Sequence, residues 1–236
     1  MQTRFQSLRR TTFNKGGRIL SEEIIEQLKG ISIAAVSDAM DRLGISGTCL
    51  GIQPLRYGFT MVGRSYTVRY LPLGQTQGTV GDYIDEIPEG SVVVLDNAGR
   101  TDCTVWGDIL TAVAHQKGLA GTVIDGVCRD VRHSLDLNYP IFSRGQFMRT
   151  GKNRVEMVAT CVPVNIAGVP VRTGDIVYGS DDGVLVIPQE VEREVANIAQ
   201  EIEQSEEAIR KEVMTGISLR DARKKHGYHT LQSPKL

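Results

Sequence analysis

The stretch Val105–Asp130, VWGDILTAVAHQKGLAGTVIDGVCRD, constrains the fold more than any other part of the chain. Just before it, Val92–Leu95 is a continuous apolar run that reads as a buried strand. Ile109, Leu110, Val113 and Ala114 then recur at helical spacing, and Gly118 is a natural helix stop. A second apolar run follows at 120–124. Strand 91–95, helix 107–117 and strand 120–124 make a βαβ unit, which requires parallel strands and a right-handed crossover. The chain is therefore expected to be an α/β protein.

The flanking sequence fits that core. Residues 1–20 read as a polar, basic arm. A helix is expected from Ser21, whose side chain can cap it ahead of Glu22 and Glu23. Ser32 opens a second helix that closes at Gly44, and Asp38 and Asp41 on it read as solvated acids. From Gly47 the texture changes to short strands: 59–70, then 91–95 after a helix expected at 79–87, with a loop at 96–99. Further strands are expected at 141–142, 155–164, 168–171, 175–178 and 184–187. Pro188 starts a last helix that runs to about Gly216, with Glu190, Glu192 and Glu194 at its positive end. No repeat or linker interrupts this order, so residues 21–225 are expected to form one domain, with a tail at 226–236.

Bulk properties exclude several function classes. The formal charge is −1, which gives nucleic acid and anionic membranes no electrostatic hold. No apolar run approaches the ~20 residues of a membrane helix, and the N-terminus lacks a secretory signal. A cytoplasmic location is expected, with Cys49, Cys103, Cys128 and Cys161 as free thiols; none forms a C-x-x-C pair.

The chemistry concentrates in the organising stretch. A helix N-terminus binds anions through amides that lack intrahelical partners. The amides of Gly107, Asp108, Ile109 and Leu110 can hold a carboxylate, and Gly107 lets it approach closely. Arg129 offers a planar fork for the same carboxylate or a keto oxygen. Asp130 is an oxygen ligand suited to Mg²⁺ or Mn²⁺. Each residue also has a plain structural role open to it: Asp108 as a helix-start acid, Arg129 and Asp130 as a local ion pair. Asp125 and Gly126 read as turn formers. His115, His133, His226 and His229 share no metal-binding spacing.

The pattern G-D-I-L, then G-L-A-G-T-V-I-D-G-V-C-R-D, then Y-P-I-F-S-R-G, resembles the RraA-like family, which includes the class II, metal-dependent 4-hydroxy-4-methyl-2-oxoglutarate (HMG) aldolases. G-D-I-V-Y-G-S-D-D-G-V-L-V-I-P at 174–188 looks like the same family's C-terminal β section. The resemblance implies an α/β/β sandwich with a mixed, barrel-like sheet and flanking helices. It implies retro-aldol cleavage of a 4-hydroxy-2-oxo acid to pyruvate and a second oxo acid, with oxaloacetate decarboxylation through the same enolate. The implied roles are substrate binding by Gly107, Asp108, Ile109, Leu110 and Arg129, catalysis by Asp108 and Arg129, and divalent metal on Asp130. A homotrimer or homohexamer is implied, with Glu206 or Glu207 of a neighbouring subunit completing the site. Two departures stand out: His133 replaces an acid found in many relatives, and segment 148–154 is unusually basic and reads as a surface loop, with a site for an extra anionic group on a non-standard substrate as the alternative. The competing function is that of a protein-binding regulator of ribonuclease E, for which the chain offers no identifiable surface. A menaquinone-pathway methyltransferase is excluded, because no glycine-rich loop follows an early strand.

Overall fold

The computed structural model describes residues 15–74 and 79–228, with side chains from Glu22 onward. Helices α1 (Lys15–Lys29) and α2 (Ile33–Arg42) come first. The short strand β1 (Gln53–Pro54) and the long β2 (Met61–Pro72) follow. The βαβ unit is β3 (Val92–Thr104), α3 (Asp108–Gln116) and β4 (Gly121–Cys128). Then come α4 (Val131–Asp136), β5 (Ile141–Gln146), β6 (Val155–Thr160), β7 (Val164–Ile166), β8 (Val169–Val171), β9 (Ile176–Ser180) and β10 (Gly183–Ile187). Helices α5 (Glu192–Met214) and α6 (Leu219–Lys225) end the described chain.

As the sequence requires, β3 and β4 are parallel, with Val92 opposite Gly121 and Leu95 opposite Ile124. The main sheet runs β1-β5-β4-β3-β2-β9-β10, with β6 also on β2. Strand β2 serves three neighbours along its length: β9 at Met61–Arg64, β3 at Ser65–Arg69 and β6 at Val68–Pro72. The segment before β2 joins the two ends of the sheet. The Cys49 amide donates to Val184 O, Thr48 bridges Leu185, and Gln53 pairs with Ser143. The sheet is thus mixed and barrel-like.

Side-chain alternation distributes the core into three parts. Val92, Val94 and Val123 join Phe142, Val177 and Val184 inside the curled sheet. Val93, Leu95 and Ile124 point the other way, onto Trp106, Ala114 and Tyr139. Helices α1, α2 and α5 cover the outside of β9 and β10 through Leu28, Val36, Met40 and Ile202 against Tyr178, Leu185 and Ile187. Ser32 caps α2 by accepting from the Ala35 amide, and its hydroxyl reaches Glu203 of α5. No described helix is long and apolar enough to cross a membrane.

Several expectations need correction. Helix α1 begins at Lys15 and passes through Ser21, so Ser21 is not its cap and residues 15–20 are helix rather than arm. Residues 1–14 and 229–236 lie outside the described part. Segment 79–87 holds only a 3-10 turn, Ile84–Glu86. The carbonyls a helix would need are already engaged: Thr79 O accepts from the Met157 amide and Val80 O from the Tyr70 hydroxyl. Residues 96–99 belong to β3, as an irregular stretch with Ala98 and Gly99 at positive φ and the register slipping before Arg100. The strand expected at 155–164 splits because Cys161 sits at φ 55°. Helix α6, capped by the Ser218 hydroxyl at Asp221, was not foreseen.

Candidate functional site

Strands β3 and β4 end side by side, and the loops leaving them build the site. The Arg129 amide donates to Trp106 O (3.1 Å), which ties the start of one loop to the other. Beneath them is a buried polar relay. The Trp106 indole donates to Thr111 Oγ1 (2.9 Å), and the Thr111 hydroxyl donates to Gly107 O (2.9 Å). The Thr104 hydroxyl lies within hydrogen-bond distance of Trp106 O and Val127 O (2.8 Å each) and accepts from the Trp106 amide. The first turn of α3 is therefore held from below by groups that cannot reach water.

On top of that base the predicted residues converge. Gly107 is the N-cap of α3, with extended backbone. The Asp108 amide donates to Asp130 Oδ2 (3.1 Å), and Arg129 Nε lies 3.3 Å from the same oxygen. A Cβ on Gly107 would stand 2.8 Å from Asp130 Oδ2 and 3.2 Å from Arg129 Nε, so a side chain there would push the carboxylate and the guanidinium away from the helix end. Asp130 has a left-handed backbone, φ 57° and ψ 35°, as the N-cap of α4. That conformation costs a non-glycine residue about 1 kcal/mol, and aspartate less than most.

Two of the four amides at this helix N-terminus already face carboxylates: Asp130 on the Asp108 amide, and Asp108's own Oδ1 on the Ile109 amide (2.9 Å). A carboxylate thus occupies the position that sequence reasoning reserved for a ligand. Arg129 and Asp130 are open to solvent at 36% and 39% of their side-chain surface, and Ile109 is 75% exposed. Leu110 turns inward and packs on the α3-side core.

The metal reading can be tested against these donors. Among the described residues, no group of three or more His, Cys, Asp and Glu is placed to hold an ion. Both protein contacts of Asp130 fall on Oδ2, which leaves Oδ1 to take a ligand. One carboxylate, with waters and substrate filling the other positions, fits Mg²⁺ better than a transition metal with an all-protein cage. His133 is exposed and contributes its backbone amide to Asp130 O. Thiol chemistry is not offered here: burial pushes the Cys128 thiol, at the end of β4, up to about 11.

Glu206 and Glu207 do not belong to this site within one chain. They lie on α5, which packs on α1, α2 and α6, and pair with Arg210 (3.5 Å) and Lys211 (2.6 Å). Asp125, expected in a turn, is instead a buried residue inside β4. It pairs with Arg144 and accepts from the Ala167 amide (2.9 Å). Sequence reasoning missed Thr104, Trp106 and Thr111, whose only signal was a lone tryptophan flanked by hydroxyls. A cleft of about 1030 Å³ lies elsewhere, between α1 and the beginnings of β2 and β3. Its charges are mostly engaged internally, Lys29 with Glu26 and Arg64 with Glu192, so size does not make it the reactive centre.

Comparison with known proteins bears on the same region. The family described as RraA-like, Aldolase/RraA, matches residues 33–186. Protein DlpA of Legionella pneumophila is 42% identical over 209 residues, 87% of this chain; the chain spans about a third (34%) of that protein's length. A Halalkalibacterium halodurans protein with the provisional name 4-hydroxy-4-methyl-2-oxoglutarate aldolase is 35% identical over 79% of this chain and 86% of its own. Among solved structures, an uncharacterized Pseudomonas syringae protein superposes with a TM-score of 0.81 at 41% identity, covering 86% of this chain and 97% of the other. Streptomyces coelicolor RraAS2, described as an unusual member of the RNase ES inhibitor RraA family, gives 0.71 at 30% identity, covering 78% and 94%.

Proposed function

Because the chain belongs to the RraA-like family, we propose that it is a divalent-metal-dependent lyase that cleaves a 4-hydroxy-2-oxo acid of the HMG type into pyruvate and a second oxo acid. The observation that carries the reading is the meeting of the α3 N-terminus, Arg129 and Asp130 around a glycine whose missing side chain lets them approach this closely. Relatives provisionally named as HMG aldolases, at 30–35% identity, support the same class.

The residues divide the work as follows. The amides of Gly107–Leu110 bind the substrate's C1 carboxylate, taking over positions that Asp130 and Asp108 now fill. Arg129 presents its fork to the pyruvyl head and holds the C2 oxygen in place. Asp130 Oδ1, with waters, would hold Mg²⁺ or Mn²⁺, which when bound supplies positive charge where the pyruvyl oxygens become negative. Asp108 is exposed, and its second carboxylate oxygen positions a water that takes the C4 hydroxyl proton. The C3–C4 bond then breaks, its electrons pass to C3 as the pyruvate enolate, C4 becomes a carbonyl, and C3 regains a proton. Oxaloacetate loses CO₂ to reach the same enolate, which makes decarboxylation the expected side reaction. Glu206 or Glu207 reaches the site only from another copy of the chain, so this reading includes a homotrimer or homohexamer.

A second reading, a regulator of ribonuclease E acting through its surface, draws on the kinship with the Streptomyces protein of the RNase ES inhibitor family. It leaves the buried relay under Gly107 without a purpose. The experiment is pyruvate release, coupled to lactate dehydrogenase, from HMG and from oxaloacetate, with Mg²⁺ and then with EDTA. Metal-dependent release from HMG is expected. Silence on both substrates from folded protein would transfer the case to the regulator.

A further inference from the structure

Helix α3 opens on a glycine, whose backbone rotates more freely than that of any other residue, yet the amides that follow must be aimed to hold an anion. The Gly107 carbonyl and the Asp108 N–H belong to one planar peptide unit and point in opposite directions. Whatever holds the carbonyl therefore aims the amide. Gly107 O accepts two hydrogen bonds from one residue, the Thr111 amide (3.0 Å) and the Thr111 hydroxyl (2.9 Å). The first is the ordinary bond of a helical turn. The second fills the carbonyl's other lone pair, so turning the peptide over would forfeit both. On its opposite side the same unit presents the Asp108 N–H to Asp130 Oδ2, at 3.1 Å.

The hydroxyl is itself directed. An indole N–H only donates, and a threonine hydroxyl has a single proton. Since the Trp106 indole donates into Thr111 Oγ1 (2.9 Å), the Thr111 proton is left for Gly107 O. Trp106 and Thr111 are each 1% exposed, so water does not compete for either group. The indole ring is held in turn. It stacks on Tyr139, with centroids 6.4 Å apart and planes 9° from parallel, and the Tyr139 hydroxyl lies 3.0 Å from Thr122 Oγ1 on β4. A chain of contacts thus runs from the start of β4 to the peptide that opens α3. A helical threonine commonly bonds the carbonyl four residues back. Here that bond falls on the peptide whose amide faces Asp130, and a buried donor dictates its direction.

We infer that Thr111 is a positioning residue: its hydroxyl, oriented by the Trp106 indole, locks the Gly107–Asp108 peptide so that the Asp108 N–H is aimed at the substrate's carboxylate before the substrate arrives. The inference rests on the lyase reading for the identity of that ligand. Neither side chain meets substrate, because both are enclosed beneath the turn. Loss of the hydroxyl therefore weakens binding of the 2-oxo-acid head without taking any contacting group out of the site.

The test titrates pyruvate calorimetrically into the full chain with Mg²⁺ present. Thr111→Val keeps the branched shape and removes the hydroxyl; it is expected to weaken pyruvate binding about tenfold. Thr111→Ser, which retains the hydroxyl, is expected to stay within about twofold of wild type. Thr111→Val also leaves the Trp106 indole without its acceptor, which is a purely structural cost. The same substitution is therefore made in Trp106→Phe, where no indole N–H depends on it. A positioning role predicts the same loss of affinity in that background. If Thr111 serves only to satisfy the indole, Thr111→Val lowers the melting temperature of the wild type and leaves pyruvate affinity unchanged in Trp106→Phe. That result overturns the inference, as does a Thr111→Ser variant that binds as weakly as Thr111→Val. Failure of the wild type to bind pyruvate overturns the oxo-acid site and the positioning role with it, whereas binding without turnover of HMG or oxaloacetate overturns only the lyase reading.

Discussion

Two aspartate–arginine pairs stand five residues apart at the end of β4, and they do opposite things. Asp125 is 5% exposed, paired with Arg144, and takes the Ala167 amide on its other oxygen, so it pins the β7–β8 hairpin over the inside of the sheet. Asp130 is about two-fifths exposed, has both contacts on one oxygen, and sits in a left-handed backbone that glycine would adopt more easily. The first pair has both carboxylate oxygens in use and little access. The second has a spare oxygen, access and local strain, the combination that favours a ligand site over a structural brace.

Substitutions sharpen that contrast. Asp130→Ala is expected to have the largest effect, a loss of about 10³-fold in metal-dependent pyruvate release, with the fold retained by circular dichroism. Near-normal turnover would make Asp130 merely a helix cap. Asp125→Ala is expected to do the reverse: about 3 kcal/mol of stability lost in urea unfolding, because Arg144 and the Ala167 amide lose their partner, with catalysis per folded molecule preserved. Arg129→Lys comes next, lowering kcat/KM about tenfold since an ammonium cannot replace the fork; equal kcat/KM would remove Arg129 from substrate contact. The smallest effect is Asp130→Gly, equally inactive but about 1 kcal/mol more stable than Asp130→Ala, because glycine accepts the left-handed backbone. Identical melting of these two variants would show that the strain is not stored there.

The same contrast separates what was legible in the sequence from what was not. The positions of Asp108 at a helix start and of Arg129 and Asp130 just past a strand were readable because such boundaries announce themselves locally. Asp125 was misread since I-D-G has the chemistry of a turn, while its partner lies 19 positions on at Arg144, and nothing local signals that pairing. The helix expected at 79–87 failed for the same reason: its carbonyls are claimed by Tyr70 and Met157, from distant strands. Periodicity gave α2, α3 and α5 because each buries one face, whereas β2, legible as a strand, is buried on both of its faces for most of its length. It could not give the break at Cys161, where a left-handed residue ends a run that looks continuous.

The stitching of residues 47–54 between β10 and β5 has a further consequence for assembly. Without it, the open six-strand path from β5 to β10 would expose two rows of bare amides and carbonyls, inviting other chains to add strands or aggregate. With Thr48 on Leu185 and Gln53 on Ser143, both rows are partly satisfied at home. Fewer bare backbone groups are left along these edges, so association of copies through them would draw more on side-chain faces, where shape and charge choose the partner, than on backbone pairing that accepts almost any extended peptide.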